Sequence, residues 1–525
     1  MKKAMKKLMA ALLAVAMVCA MAIPAFAAGG TNTLTINGTT EGHTYEAYQV
    51  FTGTLNESTL SDIAWGNGVD GDGILADLPD SLKPASTAAE LAANLTKETI
   101  TADDIDAFAK VVGNHIKTAY KHESTASGKT YTITGLPDGY YFVKDATGDM
   151  PAGATYSRYM LSIVKSLSIT AKDTTVTLDK QIKHNETDKW GIVGDNQIGD
   201  TVEFRTITTV PNVKGYDTYT YEIHDTMSSE LTSNVKAIDD ITIKVNDSTE
   251  LPKSYYTVSA DGNSFTVYVK ILEAVANKEI SAGDSLYTYY SGVLNETAKM
   301  STEGPQQNEA YLKYSNNPND TSVGETVHKT VYDWTFQIDV TKVDGTTPDK
   351  KLEGAVFVLS KFAGLDLKPE DNGTPTEHTD DLIKLVKKSD GVYTVADAST
   401  STTYTMTTPS NGQISIKGLD DDTTYYLYET KAPSGYNSLT APVTFKIATR
   451  TNDNYSDTGV TINEQPTVTV NGAPTSGTAF NVENNAGTTL PGTGGIGTTI
   501  FYVVGGGLMV AAAILLITKK RMENK

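Results

Sequence analysis

The sequence predicts a mainly β protein built of tandem immunoglobulin-like β-sandwich domains, the first with a helical insertion. Three observations carry this. Tyr 28 against Phe 12 and Trp 3, with Gly 43, is a strand-and-turn composition. Short apolar–polar alternations recur along the chain, each closed by Gly, Pro, Asn or Asp. The 525 residues leave room for about three domains, at roughly 150 residues each. Lys+Arg 43 against Asp+Glu 63, a net charge of -20, argues against a nucleic-acid partner. A single cysteine excludes an internal disulfide, a thiolate metal cage and a CxxC redox pair.

At the N-terminus, Lys2, Lys3, Lys6 and Lys7 precede an apolar run over 8–23 and the small-residue text Ala25-Phe26-Ala27. This predicts a secretory signal peptide, 1–27, cut after Ala27. Cys19 leaves with it, so the mature chain has no cysteine.

The first domain, 28–172, opens with strands at 34–36 and 45–51. A helical insert follows, in which Thr87 with Glu90 and Thr101 with Asp104 read as capping boxes. Ile105, Phe108, Ala109, Val112 and Ile116 share one helical face. Strands return at 131–133 and 140–144. The middle domain, 173–330, alternates at 176–182, 201–209, 218–225, 241–245, 264–269 and 310–316, in the manner of an immunoglobulin-like sandwich. The third, 331–489, has strands at 336–342, 355–359, 412–416, 424–429 and 479–484. A Gly-Leu…Tyr-Tyr text in 135–141 and again in 418–426 hints that the first and third domains are related.

Residues 490–525 form the second terminal signal. Leu490-Pro491-Gly492-Thr493-Gly494 precedes an apolar stretch, 496–518, long enough to span a bilayer, and Lys519-Lys520-Arg521 follows. This order resembles the cell-wall sorting signal of Gram-positive bacteria. The resemblance implies that a sortase cuts between Thr493 and Gly494 and passes a Thr493 thioester to an amine. Eight of the 43 basic and one of the 63 acidic residues lie in the two ends, so 28–493 keeps 35 and 62, a net of -27.

The chemistry-bearing pattern lies in the last two domains. By the period-two rule, Lys180 shares a face with Val176, Leu178 and Ile182, and Lys342 with Phe336, Ile338 and Val340. A lysine on an apolar face must neutralise, pair or react, because an unpaired buried ammonium is costly. Acids join apolar faces likewise: Asp225 with Tyr219, Tyr221 and Ile223, and Glu429 with Tyr425 and Leu427. So do two asparagines: Asn316 with Ala310, Leu312 and Tyr314, and Asn484 with Phe480 and Val482. Asn317 and Lys183 are substitutes for Asn316 and Lys180, though on the opposite face.

The texts around these residues, Val340-Thr-Lys342-Val-Asp-Gly, Tyr426-Leu-Tyr-Glu429-Thr-Lys-Ala-Pro-Ser-Gly-Tyr436 and Asn308-Glu-Ala-Tyr-Leu-Lys-Tyr-Ser-Asn316, with Tyr45-Glu-Ala-Tyr near the front, resemble the sortase-assembled backbone pilins of Gram-positive bacteria and their collagen-adhesin-type domains. The resemblance implies autocatalytic isopeptide bonds, Lys180 to Asn316 and Lys342 to Asn484, with Asp225 and Glu429 as assisting acids. The first domain has no lysine on its opening strand, so no bond is expected there. It also implies an exposed lysine, at the end of the first domain, that accepts Thr493 of the next subunit. Lys172 lies eight residues before Lys180 but lacks the family's Tyr-Pro, which leaves Lys165 and Lys183 as alternatives.

The expected partners are a class C (pilin) sortase, a housekeeping sortase, neighbouring pilin subunits, peptidoglycan and a host surface ligand. The expected place is the cell wall, and no cofactor or metal is expected. Seven scattered histidines form no ligand motif, and Asp70-Gly-Asp72 and Asp420-Asp-Asp422 read as solvated loops rather than calcium sites. The expected function is a structural major pilin and a sortase substrate. A monomeric wall-anchored adhesin or minor pilin is the alternative, and a wall-anchored hydrolase is disfavoured for lack of a catalytic pair.

Overall fold

The computed structural model describes residues 32–38, 40–171, 175–185, 187–318, 320–397, 402–449, 466–488 and 496–523. Among these, strands pair within three groups, and no named strand pairs across them.

The first group holds β1 (Asn32–Asn37), β2 (Tyr45–Asn56), β3 (Thr59–Trp65), β4 (Thr130–Leu136), β5 (Gly139–Asp145), β6 (Arg158–Ile163) and β7 (Leu167–Thr170). One sheet runs β4-β1-β7 and the other β3-β2-β5-β6. Between β3 and β4 lie α1 (Gly71–Ala76), α2 (Ala88–Leu95) and α3 (Ala102–Asn114). Helix α3 carries the complete Thr101–Asp104 capping box, whereas at α2 the Thr87 side chain accepts from the Glu90 backbone N–H alone. Phe108, Ala109 and Val112 of α3 are buried in an apolar cluster over β2. Ile116 falls beyond the helix end and bridges to Val69 instead.

The second group comprises β8 (Leu178–Lys183), β9 (Val193–Asp195), β10 (Thr201–Thr209), β11 (Tyr221–Met227), β12 (Ser264–Val269), β13 (Ser285–Leu294), β14 (Gln306–Ser315) and β15 (Lys329–Trp334). Strands β8-β10-β13 belong to one sheet and β9-β15-β14-β11-β12 to the other. The third holds β16 (Phe336–Asp344), β17 (Val356–Ser360), β18 (Gln413–Leu419), β19 (Thr424–Lys431), β20 (Val443–Ala448), β21 (Thr467–Val470) and β22 (Ala479–Asn484). Here β18-β16-β22 form one sheet and β17-β19-β20-β21 the other. The first and last of these strands, β16 and β22, lie side by side in parallel, with Lys342 opposite Val482 and Asp344 opposite Asn484.

Two departures from the sequence reading bear on the site. Strand β13 is missing from the alternations above because Thr288 and Gly292 dilute its buried face, Leu286, Thr288, Tyr290, Gly292 and Leu294. Strand β14 starts four residues earlier than read and ends before Asn316.

The groups are joined by polar contacts and by a shared core. Tyr314 OH donates to Ala154 O (2.8 Å), and the Gly153 backbone N–H donates to Glu325 O (3.2 Å). At the other junction Tyr425 OH donates to Gln197 Oε1 (3.1 Å), and Ile198 N–H to Gly418 O (3.0 Å). Gly418 has φ +85, and a Cβ there would sit 2.4 Å from Ile198 Cδ1, so this close approach needs glycine. One continuous apolar core runs through the second and third groups. After them stands α4 (Ile496–Glu523), whose Ile500–Glu523 portion contains an unburied 18-residue window of mean hydropathy 2.5, long and apolar enough to cross a bilayer.

Candidate functional site

In the third group, β16 ends in a buried run, and the period of two aims Lys342 between the sheets. Strand β19 brings Glu429 from the facing sheet, and parallel β22 brings Asn484 alongside. The side chains of Lys342 and Glu429 are 0% exposed. Lys342 Nζ donates to Asn484 Oδ1 (2.6 Å) and to Val482 O (2.9 Å). Asn484 Nδ2 donates to both carboxylate oxygens of Glu429 (2.9 and 3.0 Å), and the Leu439 backbone N–H donates to Oε2 (2.9 Å). Lys342 Nζ lies 3.8 Å from Glu429 Oε1. Burial pulls the lysine down to about 8, against the opposing charge of Glu429. Burial pushes Glu429 up, against the Asn484 hydrogen bond. The structure thus brings all three residues named from sequence together. A weakly basic amine lies on the carboxamide oxygen, and a carboxyl lies on the nitrogen that would leave.

In the second group, Lys180 on β8 reaches across the sandwich to Asp225 on β11, and both side chains are 0% exposed. Burial lowers the lysine and raises the acid, each opposed by the other's charge. Asn316 is not with them. It lies beyond the end of β14, where its Oδ1 accepts from Ser322 Oγ (3.0 Å) and its backbone O from Tyr156 N–H (2.8 Å). Asp225 pairs with Ala310 in register, which leaves Asn316 six residues, about 20 Å, along the strand. The expected Lys180–Asn316 pairing is corrected on this ground.

Asn308 takes the place. It lies opposite Met227, two residues from the Asp225 pair and on the same face. Asn308 is 1% exposed, and its carboxamide is close enough to Asp225 and Tyr290 to oppose the rise that burial gives both. That carboxamide has no well-aligned hydrogen bond. The parity argument for Asn316 holds equally for Asn308, since both are even-numbered on β14. The true start of β14 is the signal that separates them.

Asn317, the substitute, bonds Asp320 through its side chain (2.7 Å). Lys183 is clamped by Asp188 (2.9 Å) and Glu203 (2.6 Å), and their hydrogen bonds raise it. Lys165 is exposed between β6 and β7. Ala27, Lys172, Leu490, Pro491, Thr493 and Gly494 lie outside the described residues.

One group of side chains among the described residues has metal-ligand spacing. Asp195, Asp420 and Asp421 are all buried, with ligand oxygens within 4.8 Å of one another. The solvated-loop reading of 420–422 is therefore corrected for Asp420 and Asp421 and holds for the exposed Asp422. Asp70 and Asp72 are exposed. Asn185 Nδ2 donates to Asp420 Oδ2 (2.9 Å), so this cluster also ties the second group to the third.

Residues 336–465 match the family described as SpaA, a prealbumin-like fold domain, and residues 482–524 match the LPXTG cell wall anchor motif. A comparison with curated proteins finds no match. Among solved structures, the chain is similar to the T6 backbone pilin of serotype M6 Streptococcus pyogenes. The identity is 17%, the match covers 88% of this chain and 100% of that one, and the TM-score is 0.52. It is also similar to the full-length major pilin SpaD from Corynebacterium diphtheriae, at 18% identity, 89% and 100% coverage and TM-score 0.47. The likeness to the T6 pilin establishes a shared fold. With its prealbumin-like domain, anchor motif and apolar C-terminal helix, the chain is a cell-wall-anchored surface protein of pilin-type architecture, whose precursor carries a membrane-spanning segment.

Proposed function

We propose that the chain is the shaft subunit of a covalent pilus, divided as 28–172, 173–330 and 331–489 between signal peptide and sorting signal. Lys–Asn isopeptide bonds lock its last two domains. The observation that carries the reading is the buried contact of Lys342 Nζ with Asn484 Oδ1 at 2.6 Å, with Glu429 on the carboxamide nitrogen. Neutral Lys342 attacks the Asn484 Cγ, and Glu429 moves a proton onto the departing nitrogen. Ammonia leaves, and an amide joins β16 to β22. The equivalent in the middle domain joins Lys180 to Asn308, with Asp225 assisting. A pilin sortase would cut at Thr493 within Leu490–Gly494 and link it to a lysine of the next subunit. A housekeeping sortase would fix the finished polymer to peptidoglycan.

Lys172 remains the proposed acceptor, with Lys165 next. The double clamp on Lys183 keeps its amine protonated, which disfavours it as a nucleophile.

Two measurements test this. The intact mass of recombinant 28–489 should fall short of the sequence mass by two ammonia losses, about 17 Da each. Lys180→Ala and Lys342→Ala should each restore one loss, and an unshifted wild-type mass refutes the crosslinks. Immunoblots of wall extracts should show a ladder that collapses in Lys172→Ala. A single band in the wild type would instead favour the monomeric adhesin.

A further inference from the structure

The middle-domain cluster contains a fourth side chain. Tyr290 comes from β13, the neighbour of β10 in the sheet that carries Lys180. Its ring is wedged between Phe204 (centroids 5.9 Å) and Phe265 (4.8 Å, edge-on). Its hydroxyl accepts from Lys180 Nζ (2.5 Å) and donates to Asp225 Oδ2. The third domain is arranged differently. There Lys342 bonds the carboxamide directly, and the described contacts of Glu429 are Lys342, Asn484 and a backbone N–H.

We infer that Tyr290 is a positioning residue for the middle-domain crosslink, a phenol that holds Lys180 Nζ and Asp225 Oδ2 in one chain of hydrogen bonds facing Asn308. This rests on the isopeptide reading above. Burial, with the Asp225 charge beside it, pushes the phenol well above its ordinary value, so it stays protonated and keeps donating to the acid. Lys180 cannot then swing freely, and Asp225 is held by two donors, Lys180 and Tyr290. The groups facing the acid are Lys180 from β8, Tyr290 from β13 and Asn308 from β14, and the charge of Glu309 acts on Lys180.

The reaction balances without a further reactant. The Lys180 Nζ–Asn308 Cγ bond forms and the Cγ–Nδ2 bond breaks. Ammonia carries off both Nδ2 hydrogens and one from Nζ. Asp225 and Tyr290 end as they began.

The test follows crosslinking in the full chain, refolded in detergent from urea, where the site is not assembled. Timed acid quenching and peptide mapping quantify the Lys180–Asn308 and Lys342–Asn484 linkages separately. In Tyr290→Phe the middle-domain linkage should form roughly ten- to a hundredfold more slowly, as expected for one lost hydrogen bond to an ionisable group. The third-domain linkage in the same molecules should keep its rate. Because the phenol's hydrogen bond favours the Asp225 carboxylate, its removal should also move the middle-domain pH–rate profile upward.

3-Fluorotyrosine incorporated at position 290 keeps the shape and strengthens the donor. It should move the same profile downward, and it decides the matter if the Phe variant does not fold. Unchanged rate and profile in both variants overturn the role of Tyr290. Absence of the Lys180–Asn308 linkage in the wild type overturns the isopeptide reading itself.

Discussion

Replacing Asn484 with Ala gives the sharpest test of what the third-domain linkage contributes. Lys342 and Asn484 are 142 residues apart in sequence. A covalent link closing a loop of that size removes about 5 kcal/mol of chain entropy from the unfolded state. For residues 336–484, at roughly 2.1 cal/mol/K of unfolding entropy each, that corresponds to a loss of about 15 °C in the transition temperature. The assay is differential scanning calorimetry of residues 28–489, wild type against Asn484→Ala, with intact masses measured on the same samples. The expected result is one transition lowered by that amount, with the first-domain transition unmoved. A variant that lacks the linkage by mass yet melts within about 3 °C of wild type would refute the reasoning, because chain entropy on this scale cannot be hidden.

The rate of third-domain crosslinking should rise about fiftyfold between pH 6 and pH 8, as the neutral fraction of a lysine held near 8 grows from about one in a hundred to one half. Loss of the proton that Glu429 donates should lower the rate, at a pH above the ordinary carboxyl range because burial raises this group; a rate flat from pH 6 to pH 8, read by quenched mass spectrometry, contradicts the buried neutral lysine. Stability before crosslinking has a matching sign. Lys342 is a weaker base folded than unfolded, and Glu429→Gln removes the charge that opposes this, so that variant, which does not crosslink, should gain stability from below about pH 8 to the ordinary lysine value of about 10.4, read by urea titration. Asn308→Ala should abolish the middle-domain ammonia loss and Asn316→Ala should not; the reverse outcome would overturn the register argument.

The residues that could be read from sequence were those whose local pattern carries the information. The faces of Lys180, Lys342, Asp225 and Glu429 follow from the two-residue period, and all four side chains are buried. Asn484 was legible because the limits of β22 follow from its own alternation. Asn316 and Asn308 could not be told apart in this way, because period two fixes a face and says nothing about height along the strand. Tyr290 could not be read at all, since Thr288 and Gly292 interrupt the apolar alternation of β13.

The sequence by itself determined the β-rich layout, the C-terminal anchor signal with its apolar helix, and a buried lysine with a buried acid in each of the last two strand groups. Those depend on composition, hydropathy and side-chain parity, all of them local. Only the tertiary structure decided which asparagine meets which lysine, that a phenol joins the middle-domain cluster, and that Asp420 and Asp421 are buried against Asp195. These depend on strand register and on how one sheet packs over another. A slide of two residues preserves every inward-facing side chain while changing every neighbour it meets.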